Sequence, residues 1–319
     1  SNVWNLLANG FESSNINFFA VETANSIDAG VITGTELADS FALSGDKKVK
    51  SKGTAFTGIT TVNAGEGDDT VSGSNIWNLL TNGFESSNID FFAVETANST
   101  DAGVITGTEL ADSFALSGDK QVDSKGTTFT GITTVKAGDG IDEIIGAADQ
   151  AWKLSGENNK ITANNIAFSE IEAAVNGTVT GTNNADTFTI SDAAGSENQV
   201  TANAILFRHI TEVNAGDGAD TVSGSNIWNL LANGFESSNI DFFAVETANS
   251  NAAGVIAGTE LADSFELTGN QQVDSKGTTF TGITTVDAGD GADIVSGSNT
   301  WNLLADGFES SNIDFFSVE

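Results

Sequence analysis

The chain of 319 residues contains no cysteine, proline, methionine or tyrosine, and it has a single histidine. Without cysteine, disulfide bonds and thiolate metal sites are excluded. Basic residues are also scarce, with 11 lysines and arginines against 44 acidic residues and a formal net charge of −33. Because phosphate groups are bound mainly by Lys and Arg, this balance argues against nucleic-acid partners and against docking on anionic membranes.

Long apolar segments are missing as well. No run of about 18 apolar residues occurs, so we predict no transmembrane helix and no membrane insertion. The chain begins with Ser and shows no signal peptide. We interpret this as processing, secretion by a route that reads no N-terminal signal, or origin in a longer protein. We expect an extracellular or cell-surface location, which suits a chain without cysteine.

Internal repetition is the strongest feature that is present. The segment that starts at Ser1 returns nearly unchanged at Ser74, Ser225 and Ser298. The repeats carry tryptophan at equivalent positions, with a phenylalanine about midway between, at Trp4, Phe41, Trp77, Phe114, Trp152, Phe188, Trp228, Phe265 and Trp301. We predict repeat units at about 1–73, 74–148, 149–224 (divergent), 225–297 and 298–319 (partial), each full unit containing two half-units of about 37 residues.

The segments between the turns predict strands, since they are rich in β-branched and aromatic residues and several alternate apolar with polar positions. A short unit cannot bury its apolar face alone, but stacked units can. We therefore predict an all-β, right-handed parallel β-helix or β-solenoid that runs continuously over residues 1–319. Its coil size stays open between about 18 and about 37 residues. We expect the Trp and Phe side chains to alternate with Ile and Val along the core.

A small polar residue stands two positions before each of these aromatic residues. The series is Asn2, Asp39, Asn75, Asp112, Gln150, Asp186, Asn226, Asp263 and Asn299. If these residues stack on one another, the amides would separate carboxylates that otherwise repel. The alternative is ordinary turn chemistry before a strand.

A glycine–acid motif occurs four times, as AGEGDDTVS, AGDGIDEII, AGDGADTVS and AGDGADIVS. It resembles the nonapeptide of repeats-in-toxin proteins, a hemolysin-type calcium-binding family of β-solenoid repeats. The resemblance implies that backbone carbonyls at the glycine turns and the Asp carboxylates bind Ca²⁺. The matching residues are Gly65, Gly67 and Asp69; Gly138, Gly140 and Asp142; Gly216, Gly218 and Asp220; and Gly289, Gly291 and Asp293.

The motif also departs from that family. Each copy has Ala where the first Gly is expected, and each stands alone, although a family site is usually built from neighbouring copies. The alternative interpretation is a tight Gly-Asp turn with solvated carboxylates.

The half-unit as a whole resembles modules that occur in tandem in large bacterial surface and secreted proteins. That resemblance implies a structural or adhesive repeat region of a surface protein or extracellular filament, stiffened by calcium. It also implies end-to-end self-association or continuation of a longer array, with surface glycans or other cells as candidate partners. A noncatalytic calcium- or carbohydrate-binding module of an extracellular enzyme is the alternative.

Catalytic residues are not evident. His209 is the only histidine, no repeated Ser-His-Asp set can be assembled, and the carboxylates are periodic, whereas an active site is singular. Lys47, Lys48, Lys50 and Lys52 form a basic cluster that we interpret as a solvated face of the first repeat. We therefore expect a chain that is not an enzyme.

The resemblance leads to a measurable expectation for calcium. If the four loops bind Ca²⁺, adding it at millimolar concentration raises the melting temperature, because a ligand that binds only the folded chain stabilises it. Differential scanning calorimetry with and without a chelator measures the shift. Equal melting temperatures in both samples would contradict the expectation.

Overall fold

The fold is known from a computed structural model that describes residues 2–191 and 193–318. The predicted fold class is confirmed: within these residues every regular element is a strand, and parallel strands stack into a β-solenoid of about 10 turns. Ser1 and Glu319, the ends of the first and last predicted repeats, lie outside the described residues.

The strands are short, and most contain three to six residues. The first eighteen are β1 Val3–Leu7, β2 Gly10–Ser13, β3 Ile16–Phe18, β4 Thr23–Thr33, β5 Ser40–Gly45, β6 Lys48–Ser51, β7 Thr54–Asn63, β8 Thr70–Leu80, β9 Gly83–Ser86, β10 Ile89–Phe92, β11 Thr96–Thr106, β12 Ser113–Gly118, β13 Gln121–Ser124, β14 Thr127–Lys136, β15 Glu143–Ile145, β16 Ala151–Leu154, β17 Lys160–Ala163 and β18 Ile166–Ser169.

The second half of the chain continues in the same style. Its strands are β19 Ala173–Thr180, β20 Thr187–Thr189, β21 Gln199–Ala202, β22 Ile205–Asn214, β23 Thr221–Ser223, β24 Ile227–Leu231, β25 Gly234–Ser237, β26 Ile240–Phe243, β27 Thr247–Ala257, β28 Ser264–Gly269, β29 Gln272–Ser275, β30 Thr278–Asp287, β31 Ile294–Ser296, β32 Asn302–Leu303, β33 Phe308–Ser310 and β34 Ile313–Phe316.

Two compact units divide the chain. The first comprises Ser1–Ile145 with Thr162–Ile171, and the second comprises Gly146–Ile161 with Glu172–Glu319. The single continuous solenoid over residues 1–319 stays a prediction.

The first unit is built from two stacks of strands that share its long strands. In β4 a register shift separates Asn25 from Gly30, so each half of the strand pairs separately. The first halves belong to a stack in the order β4, β7, β6, β5, β8, β11, β14, β13, β12, β15. The second halves belong to a stack in the order β3, β2, β1, β4, β7, β10, β9, β8, β11, β14, β18.

Each stack mixes parallel and antiparallel pairs. Strands β5, β6 and β7 form an antiparallel meander, and β8, β9 and β10 form another. Parallel pairs join one meander to the next strand of the stack, as in β5–β8 and β7–β10. The predicted half-unit of about 37 residues therefore corresponds to one meander with its connecting strand, and the meanders alternate between the two stacks.

The second unit repeats this plan. Its first stack runs β19, β22, β21, β20, β23, β27, β30, β29, β28, β31. Its second stack runs β16, β19, β22, β26, β25, β24, β27, β30, β34, β33, β32.

Neither predicted coil size is right. Residues that pair in parallel are separated by one turn, and this separation ranges from 25 residues, between Ser74 and Ser99, to 34 residues, between Thr187 and Thr221. The spacing of the aromatic residues does not equal one turn, because each meander folds back on itself and adds strands to the stack without completing a turn.

The meanders are closed by two-residue turns with left-handed backbone. Ser14 and Asn15 join β2 to β3 with φ of 53° and 60°. Turns of this type follow the right-handed twist of the strands, and Asn tolerates positive φ better than most residues. The segment WNLLANGFES forms the β1–β2 hairpin, although its adjacent leucines would also suit a short helical turn.

The core of the β8–β10 meander is an aromatic cluster. Phe84 lies 5.4 Å from Trp77, 5.3 Å from Phe91 and 5.4 Å from Phe129, measured between ring centroids. Trp77 belongs to the second stack and Phe114 to the first, so the Trp and Phe residues do not share one row as predicted. Within each stack the predicted alternation with Ile and Val is present, since Trp77 pairs with Ile105 and Phe114 with Ile144. The aromatic cluster also joins the two stacks, because Phe129 belongs to the first stack and Phe84 to the second.

We predict that Phe84→Ala lowers the free energy of unfolding by about 3–5 kcal/mol, because it leaves a cavity among three aromatic rings. Urea titration followed by tryptophan fluorescence measures the change. Leu110→Ala in the same repeat is the control: Leu110 is 67% exposed, and its loss should change stability by less than about 0.5 kcal/mol. Equal effects of the two substitutions would contradict this account of the core.

Candidate functional site

The glycine–acid motifs lie in turns that stack directly on the turn before them. A Cβ atom on Gly65, whose φ is 106°, would lie 2.3 Å from the carbonyl oxygen of Thr35. A Cβ atom on Gly67, whose φ is 122°, would lie 2.7 Å from the carbonyl carbon of Leu37. The two glycines are therefore required for both reasons that favour glycine, a positive φ and close backbone contact.

The Asp of each motif binds the backbone of the same preceding turn from the buried side. Asp69 is completely buried, and its Oδ1 accepts the backbone N–H of Asp39 at 2.7 Å. In turn, the backbone N–H of Asp69 donates to Glu95 Oε2 at 2.8 Å. Asp39, Asp69 and Glu95 thus form a ladder of carboxylates in successive turns, which we call the acidic ladder.

The acidic ladder recurs in the other repeats. The backbone N–H of Asp112 donates to Asp142 Oδ1 at 2.7 Å. In the same way the N–H of Asp186 donates to Asp220 Oδ1 at 2.7 Å, and the N–H of Asp263 donates to Asp293 Oδ1 at 2.8 Å. All four motif aspartates are buried. The interpretation as turns with solvated carboxylates is therefore wrong for these four residues.

A lysine ends the ladder in three of the four repeats. The ammonium groups of Lys52, Lys125 and Lys276 lie 2.5, 2.6 and 2.6 Å from Oδ1 of Asp39, Asp112 and Asp263, respectively. Each of these lysines occupies the turn between the second and third strands of a meander. The predicted solvated face holds for Lys47, Lys48 and Lys50, which are exposed. It is wrong for Lys52, because this lysine pairs with the fully buried carboxylate of Asp39.

The third repeat differs at this position. Asn203 stands in the turn where the other repeats have lysine, since Ala202 pairs with Ile205 as Ser51 pairs with Thr54. Asp186 there accepts the backbone N–H of Thr182 at 2.6 Å and its hydroxyl at 2.9 Å. The third ladder therefore contains carboxylates without a lysine.

Burial governs the ionisation of these groups. The pKa of Asp69 is raised to about 6, chiefly by burial and also by the charges of Asp39 and Glu95. The hydrogen bond from the Asp39 backbone N–H lowers the pKa but does not offset these effects. The pKa of Asp220 is also raised, by burial first and then by Glu246, Asp186 and Asp217. Burial opposes ionisation of Asp263, but hydrogen bonds from Lys276 and Thr259 hold its pKa below the usual range.

The side chains of these loops do not form a carboxylate cluster. Among the described residues, no group of three or more His, Cys, Asp or Glu side chains is placed to hold a metal ion. Asp69 directs Oδ1 to a backbone N–H, although its Oδ2 is buried without a hydrogen-bond partner, as are Oδ2 of Asp220 and Asp293. The twelve predicted residues thus pack turn on turn, and calcium binding stays a prediction.

The proposed alternation of acid and amide is wrong. Asp39 lies next to Asp69, another acid, whereas the amides lie elsewhere: Asn75 Oδ1 accepts the backbone N–H of Thr100 at 2.8 Å. The sequence pattern also did not predict that lysines and glutamates contact the aspartates of the ladder. Recurrence of Ser-Lys-Gly-Thr at equivalent places in three repeats was the available signal for the lysines.

Other candidate features are minor. His209 is exposed, in the position expected for a surface residue. No helix that could cross a membrane occurs in the described residues.

Comparison with known proteins gives no relative. No protein family, no curated protein and no solved structure matches the chain.

The buried carboxylate of the third ladder predicts a pH dependence. Because the pKa of Asp220 is raised in the folded chain, its protonated form contributes stability at acid pH, and this contribution is lost as the pH rises through the folded pKa. Asp220→Asn removes the charge and keeps an oxygen for Asp186. We expect the free energy of unfolding of the variant, relative to the parent, to increase from about pH 4 to about pH 8.

Urea titrations across this range provide the measurement. Glu212→Gln is the control, since Glu212 is exposed on the neighbouring strand β22 and its substitution should give a nearly constant difference. A difference for Asp220→Asn that does not vary with pH would show that the residue titrates normally.

Proposed function

We propose that the chain is a structural and adhesive repeat region of a secreted bacterial surface protein or an extracellular filament. The observation that carries the proposal is the acidic ladder, which recurs in four repeats. In each repeat a buried Asp carboxylate accepts the backbone N–H of an aspartate in the preceding turn and so joins the two turns. Groups committed to such contacts are suited to bearing load rather than to binding substrate.

The surface supports the adhesive part. Leu37, Leu110 and Leu261 occupy the same loop position in three repeats and are 71%, 67% and 71% exposed. A large apolar side chain displayed in three of the four repeats, next to an acidic residue, offers several equivalent weak contacts. Such contacts gain strength by multivalency, which is how a repetitive surface adheres without one deep site.

End-to-end association, or continuation in a longer array, is the partner arrangement that best suits this function. Surface glycans or other cells are the targets we propose for the exposed face. The net charge of −33 would also keep neighbouring regions apart unless salt or cations screen them.

Pulling experiments test the proposal. The chain is fused at both ends to a marker domain of known unfolding force and stretched in a single-molecule force spectrometer. We expect it to unfold at a higher force than the marker, and Leu37→Ser, Leu110→Ser and Leu261→Ser together to reduce adhesion of coated beads to a glycan-bearing surface without changing that force.

The alternative has a different outcome. A carbohydrate-binding module would bind one glycan with a defined stoichiometry and would unfold at or below the marker's force. That combination, with adhesion unaffected by the three leucine substitutions, would overturn the proposal.

A further inference from the structure

The three lysine–aspartate pairs of the acidic ladder are arranged for more than a salt bridge. Each lysine follows its aspartate by 13 residues, from Asp39 to Lys52, from Asp112 to Lys125 and from Asp263 to Lys276. We propose that each pair condenses to an intramolecular amide, an isopeptide bond that closes one meander covalently. This modification does not depend on the proposed function.

The two carboxylate oxygens have different surroundings. Asp39 Oδ2 accepts the backbone N–H of Thr35 at 2.6 Å, while Oδ1 has no hydrogen-bond donor besides the Lys52 ammonium at 2.5 Å. The other two pairs match: Oδ2 accepts the Thr108 N–H in one and the Thr259 N–H in the other, each at 2.6 Å. One oxygen is therefore held by the backbone, and the other faces only the amine.

This arrangement defines the reaction. Lys52 Nζ gives one proton to Asp39 Oδ1, which makes the carboxyl group neutral, and then attacks Asp39 Cγ and forms the C–N bond. Negative charge develops on Oδ2, where the Thr35 N–H stabilises it as an oxyanion-hole donor does. The Cγ–Oδ1 bond then breaks, and Oδ1 leaves as water with two of the three ammonium protons. An ammonium and a carboxylate become an amide and one water, so no oxidant or reductant is needed.

Burial and proximity favour this condensation. The side chain of each aspartate is fully buried, whereas the lysine side chains are about one-fifth exposed. Reactants held together in a folded chain have effective molarities of up to about 10⁵–10⁸ M. A site that excludes water also disfavours hydrolysis of the product.

The backbone of the turn does not by itself select lysine. Lys52, Lys125 and Lys276 have φ of 46°, 50° and 51°, a left-handed conformation that Lys47 and Lys120 also adopt, each with φ of 52°. A buried ion pair adds little net stability, because desolvation offsets its Coulomb energy. An amide between the two side chains removes both charges and with them this desolvation cost.

Intact mass spectrometry of the purified, denatured chain tests the proposal. We expect the parent to weigh less than its sequence by three waters, after the folded protein has stood for several days at neutral pH. Lys52→Arg keeps the charge but cannot form the amide, so it should lose only two waters. Lys48→Arg, on an exposed lysine, should still lose three.

The third repeat allows a gain-of-function variant. Asn203→Lys restores the amine opposite Asp186 and should raise the loss to four waters, with a new branched peptide that joins residues 186 and 203. Fragmentation of tryptic peptides locates each link and shows that Lys52, Lys125 and Lys276 resist cleavage.

Other outcomes overturn the proposal. A parent mass equal to that of the sequence would do so. So would a water loss that maps to the Asp-Gly sequences, such as Asp139-Gly140, and disappears with hydroxylamine, because that behaviour identifies a succinimide.

Discussion

The structure depends on carboxylates that are buried between stacked turns. A buried carboxylate is costly unless donors satisfy it, and here each motif aspartate accepts the backbone N–H of an aspartate one turn below. The donor is available only because the glycines allow the two backbones to approach closely, as at Gly65 over Thr35. Glycine and aspartate in the motif thus contribute to one contact between turns. Without the glycines the backbones could not approach, and the buried carboxylate would lose its hydrogen-bond donor.

The same contact explains why a short motif is ambiguous. Glycines that bend the chain and an acid that follows them are what a calcium loop needs, but they are equally what a tight, dry contact between turns needs. The difference lies in where the Asp oxygens point, and the nonapeptide does not encode this. In Asp69, Oδ1 is directed to a backbone N–H and burial raises the pKa to about 6, which is the electrostatic signature of a desolvated group.

Repetition made the all-β class and the stacking of strands predictable, because units of this size cannot fold alone. The path of the chain was not predictable from the same pattern. Aromatic residues at Trp77 and Phe114 mark equivalent meanders, yet they belong to different stacks. Periodicity reports that segments are equivalent, whereas the antiparallel returns within a meander are set by two-residue turns such as Ser14-Asn15. The lysines were hidden for a related reason: only the fold brings Lys52 to Asp39.

The third repeat shows which parts of the ladder the fold requires. It has Asn203 in place of lysine, and its strands still pair in the same order. The Asp186–Asp220 contact is also kept at 2.7 Å. Stacking therefore needs the carboxylate and the backbone N–H but not the ammonium. Since the fold stands without the lysine, its presence in three repeats calls for an explanation in terms of what the amine adds, either charge compensation or a bond, and the two differ by one water per repeat.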